Sequence, residues 1–438
     1  MHGPTVAGAA ARTHGIGLVL LIIAINALNM IDRNLPFILA EAIKKDLQLS
    51  DAELGLLGGL VFAVVYAIGG LPFGRFADRG HARGVMAAAV AFWSLMTAIG
   101  GLTQNFLQLA VARLGVAAGE AACAPSAHSI IADHFPAERR GTMIALISLG
   151  VPIGSMIGLV LGGWLVDRMS WRGAFLAIGL PGLLLAALAW IFLPSAPPRE
   201  GAHAHANFRD AIRLLSAIPT FRRTVVAASL YSFGAYAMLT FVPAFLMRSH
   251  AMSASQAGLW YGLLTGVAGL IGLPASGWLA DRLSHRDVRW RLRIPSILMG
   301  LTAPFFLAAM LVDDGHLALA MLFFPQMLSV AYLGPTFSAV HAIVPPSMRA
   351  TATAALIGLL TITGASSGPL LVGWLSDRLA PAYQEHSLAV ALLTVPVVML
   401  LSSWWYLAAS RTLPDDLHEG SVPPGDEGLA PQAVQSNA

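Results

Sequence analysis

GRFADR at residues 74–79 returns as GWLADR at 277–282. FPAERRGT at 135–142 is answered by VPPSMRAT at 344–351, and GWLVDR at 163–168 by GWLSDR at 373–378. The three offsets are 203, 209 and 210 residues. Three unrelated peptides that recur in the same order at nearly one long period mark a duplicated unit. Each motif also borders an apolar run of about 20 residues, the length that crosses a hydrocarbon core of about 30 Å. Duplication of a membrane-embedded unit explains both facts together.

Working outward from these motifs, the apolar runs divide into twelve helices. The first six are expected over 16–40, 54–73, 84–103, 106–132, 142–166 and 173–193. The second six are expected over 223–248, 256–279, 294–312, 316–343, 351–376 and 388–410. The fold class is therefore an all-α polytopic membrane protein, with two pseudo-symmetric six-helix halves, 16–193 and 223–410. Between them runs a polar connection, 194–222, with Pro194, Pro197 and Pro198 and a cluster of Arg and His. Composition agrees: 56% of the 438 residues are hydrophobic and only 11% are charged, about half the charge of a soluble chain. A β-barrel would need strands of about 10 residues with alternating polarity, and the runs do not alternate.

The ends and the rarer residues exclude other classes. Residues 1–15 read as a short tail ahead of an uncleaved first span, because the apolar run continues past Asp32 with no small-residue cleavage site in place. The stretch 411–438 is rich in Pro, Gly, Asp and Glu beyond Pro414 and reads as a disordered tail. One cysteine, Cys123, excludes an internal disulfide and a cysteine metal site. Neither a metal nor another cofactor is expected. A net charge of +3 spread over loops argues against a nucleic-acid partner. No nucleophile–base pair stands out, so catalysis is not expected, and a monomer is.

Lys and Arg set the orientation. With both termini on one side, that face carries 18 of the 26 basic residues and the other face six, with Arg33 and Arg113 inside the membrane. The expectation is an inner (plasma) membrane protein with both termini cytoplasmic. Lys44 and Lys45 run against the rule, although Asp46, Asp51 and Glu53 surround them.

Two apolar segments are interrupted by charge: INALNMIDRNLPFIL at 25–39 holds Asp32 and Arg33, and AVARLGVAAGEAACAPSAH at 110–128 holds Arg113 and Glu120. An ionisable group at the bilayer centre costs about 2.5–3.5 kcal/mol on insertion scales, so such residues are kept for ions, protons or substrates. Arg113 and Glu120, seven residues apart, share one face of helix 4. Arg113 and Asp32 lie at matching depth and are expected to pair, with burial and the nearby Arg opposing each other at the Asp32 carboxyl. The proton-coupling set is then Asp32, Arg113 and Glu120. Arg33 points about 100° away from Asp32 and is expected at a helix contact or an interface as readily as in the site. His128, two turns beyond Glu120, and His341 on helix 10 are weaker relay candidates. Gly150, Gly154, Gly158 and Gly162 form a stripe that fits close helix packing.

The second half lacks a mid-helix charge and offers aromatic and amide groups instead. Tyr231, Phe233, Tyr236, Phe323, Phe324, Gln326, Tyr332 and Phe337 lie on helices 7 and 10. With Arg113, Glu120, Asn26, Asn29 and Tyr66 of the first half, the substrate-binding set is expected to include Tyr236, Tyr332 and Phe337. Such a cavity, charged on one side and aromatic on the other, suits an amphipathic anion better than a sugar. Gating is expected from Asp78, Arg79, Arg83 and Asp281, at the loops that follow helices 2 and 8.

Twelve helices in two related halves, with G-x-x-x-D-R after helix 2 and again after helix 8, resemble the major facilitator superfamily across nearly the whole chain. Ala82 stands where a second basic residue is usual. Within the superfamily, NMIDR at 29–33, ARLGVAAGEA at 112–121 and SAHSIIADHFPAERRGTM at 126–143 are similar to the Spinster-like branch. Antiporter members carry a Gly-Pro on helix 5 that this chain lacks. The resemblance implies proton-coupled secondary active transport by alternating access, with a small anionic, amphipathic or lipid-like substrate, since eukaryotic relatives carry lysolipids and sphingoid phosphates. The alternatives it leaves open are an uncoupled facilitator and an importer of a hydrophobic organic acid by proton symport.

Overall fold

The computed structural model describes residues 6–76, 80–195 and 208–417. These are helical almost throughout, with no strand among them. Ten segments long and apolar enough to cross a membrane are Ile16–Ile38, Asp51–Gly69, Ala82–Gly100, Phe106–His134, Glu138–Arg168, Trp171–Phe192, Pro219–Ser249, Ala254–Ser284, Trp290–Leu311 and Gly315–Ala342. We number them helices 1 to 10. The next segment, Thr351–Thr412, holds 62 residues and breaks at the short turn Gln384–His386. It crosses twice, as helix 11 on the Ser366–Tyr383 side and helix 12 on the Thr394–Thr412 side. Twelve spans result, as the sequence predicts.

Two connections contain helices that the sequence reading passed over. Ala40–Leu47 follows helix 1, and Phe208–Ala217 lies in the connection between the halves and buries Leu215. Residues 196–207 of that connection, like the tails 1–5 and 418–438, fall outside the described residues.

The chain forms two compact units. The first comprises Met1–His203, Leu239–Gly266 and Pro369–Ala391, and the second Ala204–Met238, Val267–Gly368 and Leu392–Ala438. Because apolar side chains gain little from leaving lipid, close packing in spans falls to small residues that let backbones approach. In the first unit this is the task of the helix 5 glycine stripe. A Cβ on Gly150, Gly154 or Gly158 would come within 2.7, 2.3 and 2.9 Å of helix 1 at Asn26, Ala27 and Ile31. In the second unit, helix 11 repeats the device on helix 7. A Cβ on Gly364 or Gly368 would lie 2.2 Å from the Ser229 carbonyl and 2.1 Å from that of Phe233. Gly364 lies within a five-residue π turn, Thr361–Ala365.

Candidate functional site

Helix 1 presents two faces to its neighbours, and they divide its charges. Arg33 faces helices 2 and 4. Its Nε and Nη2 donate to the Glu120 carboxylate at 3.1 and 2.8 Å, and its guanidinium sits 4.8 Å from the Phe62 ring centre and 4.4 Å from that of Tyr66. Those two rings stack on each other at 5.6 Å. Asp32, one residue earlier and turned by about 100°, faces helix 3, where Trp93 and Thr97 are its polar neighbours. Asp32 is fully buried and forms no ion pair among the described residues; Trp93 and Thr97 are the side-chain donors that face its carboxylate.

Arg113 is buried between these two faces. Its Nη1 donates to the backbone carbonyl of Asp32 at 3.2 Å, its guanidinium lies 5.2 Å from the Phe62 ring centre, and both carboxylates act on it electrostatically. The expected side-chain pair of Asp32 with Arg113 is therefore corrected. The ion pair is Arg33–Glu120, with Glu120 fully buried. Depth predicted that Asp32 and Arg113 are close, but helix rotation decides which atoms meet. Asn29, buried on helix 1, faces Glu120 with its side-chain amide. Asn26 donates to the Ile147 carbonyl at 2.9 Å and accepts a 3.4 Å contact from Cys123 Sγ.

The other expected residues are placed as follows. In the second unit Tyr332 packs on Tyr231 with ring centres 3.9 Å apart, and Tyr236 and Tyr406 are its further aromatic neighbours. Phe337 is half-buried on the next turns of helix 10. Arg83 lies 5.2 Å from the Trp190 ring centre, and Asp281 is exposed. Asp78 and Arg79 fall outside the described residues. His128 is exposed, and His341 Nε2 meets Thr353 Oγ1 at 2.7 Å. A cavity of about 650 Å3 lies beside Arg83, Trp190, Phe73 and Phe92 rather than at the buried charges. Volume alone does not make it the site; the buried ionisable groups Asp32, Arg113 and Glu120 are elsewhere. On the opposite side of the charged set, the space bounded by Phe37, Leu57, Arg113 and Thr240 is about 10 Å3, room for one water at most.

Beyond that constriction lies a polar cluster that sequence reasoning missed. Arg248 at the end of helix 7 binds Glu41 at 2.6 Å and Asp51 at 2.7 Å. Asp51, itself buried, also accepts from Lys44 at 2.5 Å and from Ser376 at 2.7 Å. Lys44 defied the charge rule because this carboxylate holds it. Asp46 binds Arg172 and Trp171, and the Arg172 guanidinium holds its carboxyl below the usual carboxylate range.

The repeated GWLxDR peptides explain the rest of the cluster. Asp377 of GWLSDR accepts from the backbone N–H groups of Asp51 and Ala52 at 2.9 and 2.8 Å, at the start of helix 2. Asp167 of GWLVDR accepts from Ser255 N at 2.8 Å, at the start of helix 8. Carboxylates are favoured at helix N-termini by the unpaired N–H groups and the dipole. The motif glycines allow the approach: a Cβ on Gly163 would lie 2.2 Å from the Ala254 carbonyl, and one on Gly373 2.1 Å from that of Asp51. In both copies the Arg stacks on the Trp four residues earlier, at 4.8 and 5.3 Å. The signal was present in the sequence as the repeat, but what the aspartates bind was not.

The sequence model of the Major Facilitator Superfamily matches residues 22–365. The chain belongs to that superfamily. An MFS-type efflux pump of Mycolicibacterium smegmatis is 37% identical over 426 residues, covering 95% of this chain and 96% of its own length. Protein spinster homolog 1 of Xenopus tropicalis is 27% identical, over 96% of this chain and 86% of its own. Among solved structures, a bacterial homolog of the human lysosomal transporter Spinster, in an inward-facing and unoccupied conformation, superposes with a TM-score of 0.83 at 27% identity, covering 93% of this chain and 99% of that one. The protein is thus a Spinster-like membrane transporter of the major facilitator fold.

Proposed function

We propose that this transporter is a proton-coupled secondary carrier of a small anionic or amphipathic, lipid-like substrate, working by alternating access of its six-helix halves across the bacterial inner membrane, with both termini cytoplasmic. The observation that carries the reading is Asp32, a fully buried carboxyl that forms no ion pair among the described residues, beside an Arg33–Glu120 pair that is already complete. A buried charge must be paired or neutralised, and a proton is the neutralising ion that needs no space. With all four groups ionised, Asp32, Arg33, Arg113 and Glu120 sum to zero. One proton on Asp32 leaves the set at +1, with Arg113 free to meet an anionic group. Ligand and proton then shift the equilibrium between the two access states through their different affinities for each.

In this reading the substrate-binding residues are Arg113, Glu120, Asn26, Asn29, Tyr66, Tyr236, Tyr332 and Phe337. Asp78, Arg79, Arg83 and Asp281 act at the inner gate. The Arg248–Asp51 cluster and the Asp167 and Asp377 caps form the outer latch. The efflux-pump relative supports outward transport as the direction.

The test is transport by purified protein in proteoliposomes, with and without an imposed pH gradient. A gradient should drive accumulation in the wild type, and Asp32→Asn should abolish uphill movement while substrate exchange continues. Accumulation that ignores the gradient, or an Asp32→Asn protein that still concentrates substrate, defeats proton coupling and leaves a facilitator.

A further inference from the structure

Helices 7 and 12 enclose a second cavity that plays no part in the mechanism above. It measures about 580 Å3 and is lined by Arg222, Arg223, Val226, Trp404, Trp405 and Arg411, with Ala408 at its base. Arg222 and Val226 lie one turn apart on helix 7, and Trp404, Ala408 and Arg411 follow each other along one face of helix 12. Arg223 is anchored: its Nη1 donates to the Ala408 carbonyl at 3.0 Å and ties the two helices together. Arg222 and Arg411 are exposed. Among the described residues, none of the three arginines forms an ion pair. The acidic residues nearest in sequence do not relieve them: Asp416 accepts from Thr220 N at 2.8 Å, and Asp415 is exposed.

Local helix energetics does not account for this cluster. Arg222 closes the first turn of helix 7 and Arg223 opens the second, near the end where the helix dipole disfavours cations. Arg411, in the last turn of helix 12, alone is favoured by it. Three positive charges therefore converge on one hollow with no acidic partner among the described residues. Beside them stand two tryptophans, Trp404 at 58% exposure and Trp405 packed edge-on against it with ring centres 5.0 Å apart. Tryptophan settles at the headgroup level of a bilayer. Arginine binds phosphate through a planar fork of donors, and basic pockets between spans at the cytoplasmic side take anionic headgroups.

We propose that this hollow binds an anionic phospholipid of the cytoplasmic leaflet, with its phosphate on Arg222 and Arg411 and its glycerol and upper acyl carbons against Trp404, Trp405 and Val226. The occupant is a diacyl lipid rather than a soluble phosphate, because the two helices that carry the arginines continue along the same hollow into Val226, Trp404 and Trp405, apolar surface that a bare anion would leave uncovered. The site depends on the membrane orientation given above but not on proton coupling. It fastens the first span of the second half to the last.

Native mass spectrometry of the purified full chain, delipidated and then titrated with cardiolipin, phosphatidylglycerol or phosphatidylcholine, tests the proposal. Cardiolipin and phosphatidylglycerol adducts should persist and phosphatidylcholine adducts should not. Arg222→Gln/Arg411→Gln should weaken retention of the anionic lipids roughly 10- to 30-fold, as expected for two basic groups near a headgroup. Arg286→Gln/Arg289→Gln, a pair on another loop of the same face, should leave it unchanged. If the double variant does not fold, the single Arg411→Glu, at an exposed side chain, should still lose most of the retention. Equal retention of anionic and zwitterionic lipid, equal loss in the two Gln pairs, or full retention by Arg411→Glu overturns the site.

Discussion

At the residue scale, two neighbours on helix 1 hold different positions because a helix turns by about 100° per residue. Arg33 is hydrogen-bonded, ion-paired and stacked on rings, whereas the Asp32 carboxylate is buried and forms no ion pair among the described residues. Substitutions at the two sites should therefore separate stability from transport. Arg33→Gln strands the Glu120 charge in the interior and should destabilise the protein by about 3–5 kcal/mol, the cost of halving a buried pair. Adding Glu120→Gln should recover most of that stability without restoring transport. Thermal unfolding of the single and double variants in detergent reads the difference. A double variant as unstable as the single would mean that the pair does not carry the effect.

At the element scale, the glycine stripe of helix 5 sets how closely helix 1 approaches and thus where Asp32 and Arg33 stand. A methyl on Gly154 would sit 2.3 Å from the Ala27 carbonyl, so the helices must part. Gly154→Ala should cost about 1–3 kcal/mol of stability, as overpacking does, and should lower transport as well. Gly141, also helical, has no atom within 4 Å of an added Cβ. Gly141→Ala should be neutral or gain up to about 1 kcal/mol from helix propensity. A thermal-shift comparison of the two variants checks both signs. The sequence showed the stripe and its packing role plainly, because small residues at four-residue spacing have one common use in spans. Which helix fills the stripe depended on tertiary packing.

At the scale of the whole molecule, GWLVDR and GWLSDR act as a crossed pair: the aspartate of each caps a helix in the half that did not supply it. With Arg248 bridging Glu41 and Asp51, the ends of helices 2, 7 and 11 are held together, as are those of helices 5 and 8. In the proposed orientation, opening to the outside must break these bonds, so weakening them should favour the outward-open state. In a Cys123→Ser background, Thr240→Cys should be nearly inert to a membrane-impermeant thiol reagent. Arg248→Gln/Asp377→Asn should raise its labelling rate by roughly fivefold or more, the lower range of measured coupling energies. An unchanged rate would remove the latch from the gating mechanism.

The sequence by itself determined the twelve spans, the duplication, the superfamily and the four charges set within apolar helices. Each of these rests on local hydropathy or on a repeat, which a linear string records in full. Only the tertiary structure decided that Glu120 pairs with Arg33 rather than leaving Arg33 aside, that Lys44 binds Asp51, and that Asp167 and Asp377 cap helices of the opposite half. Those outcomes depend on helix rotation and on contacts across up to 326 residues. A turn of 100° exchanges one partner for another without changing a letter of the sequence.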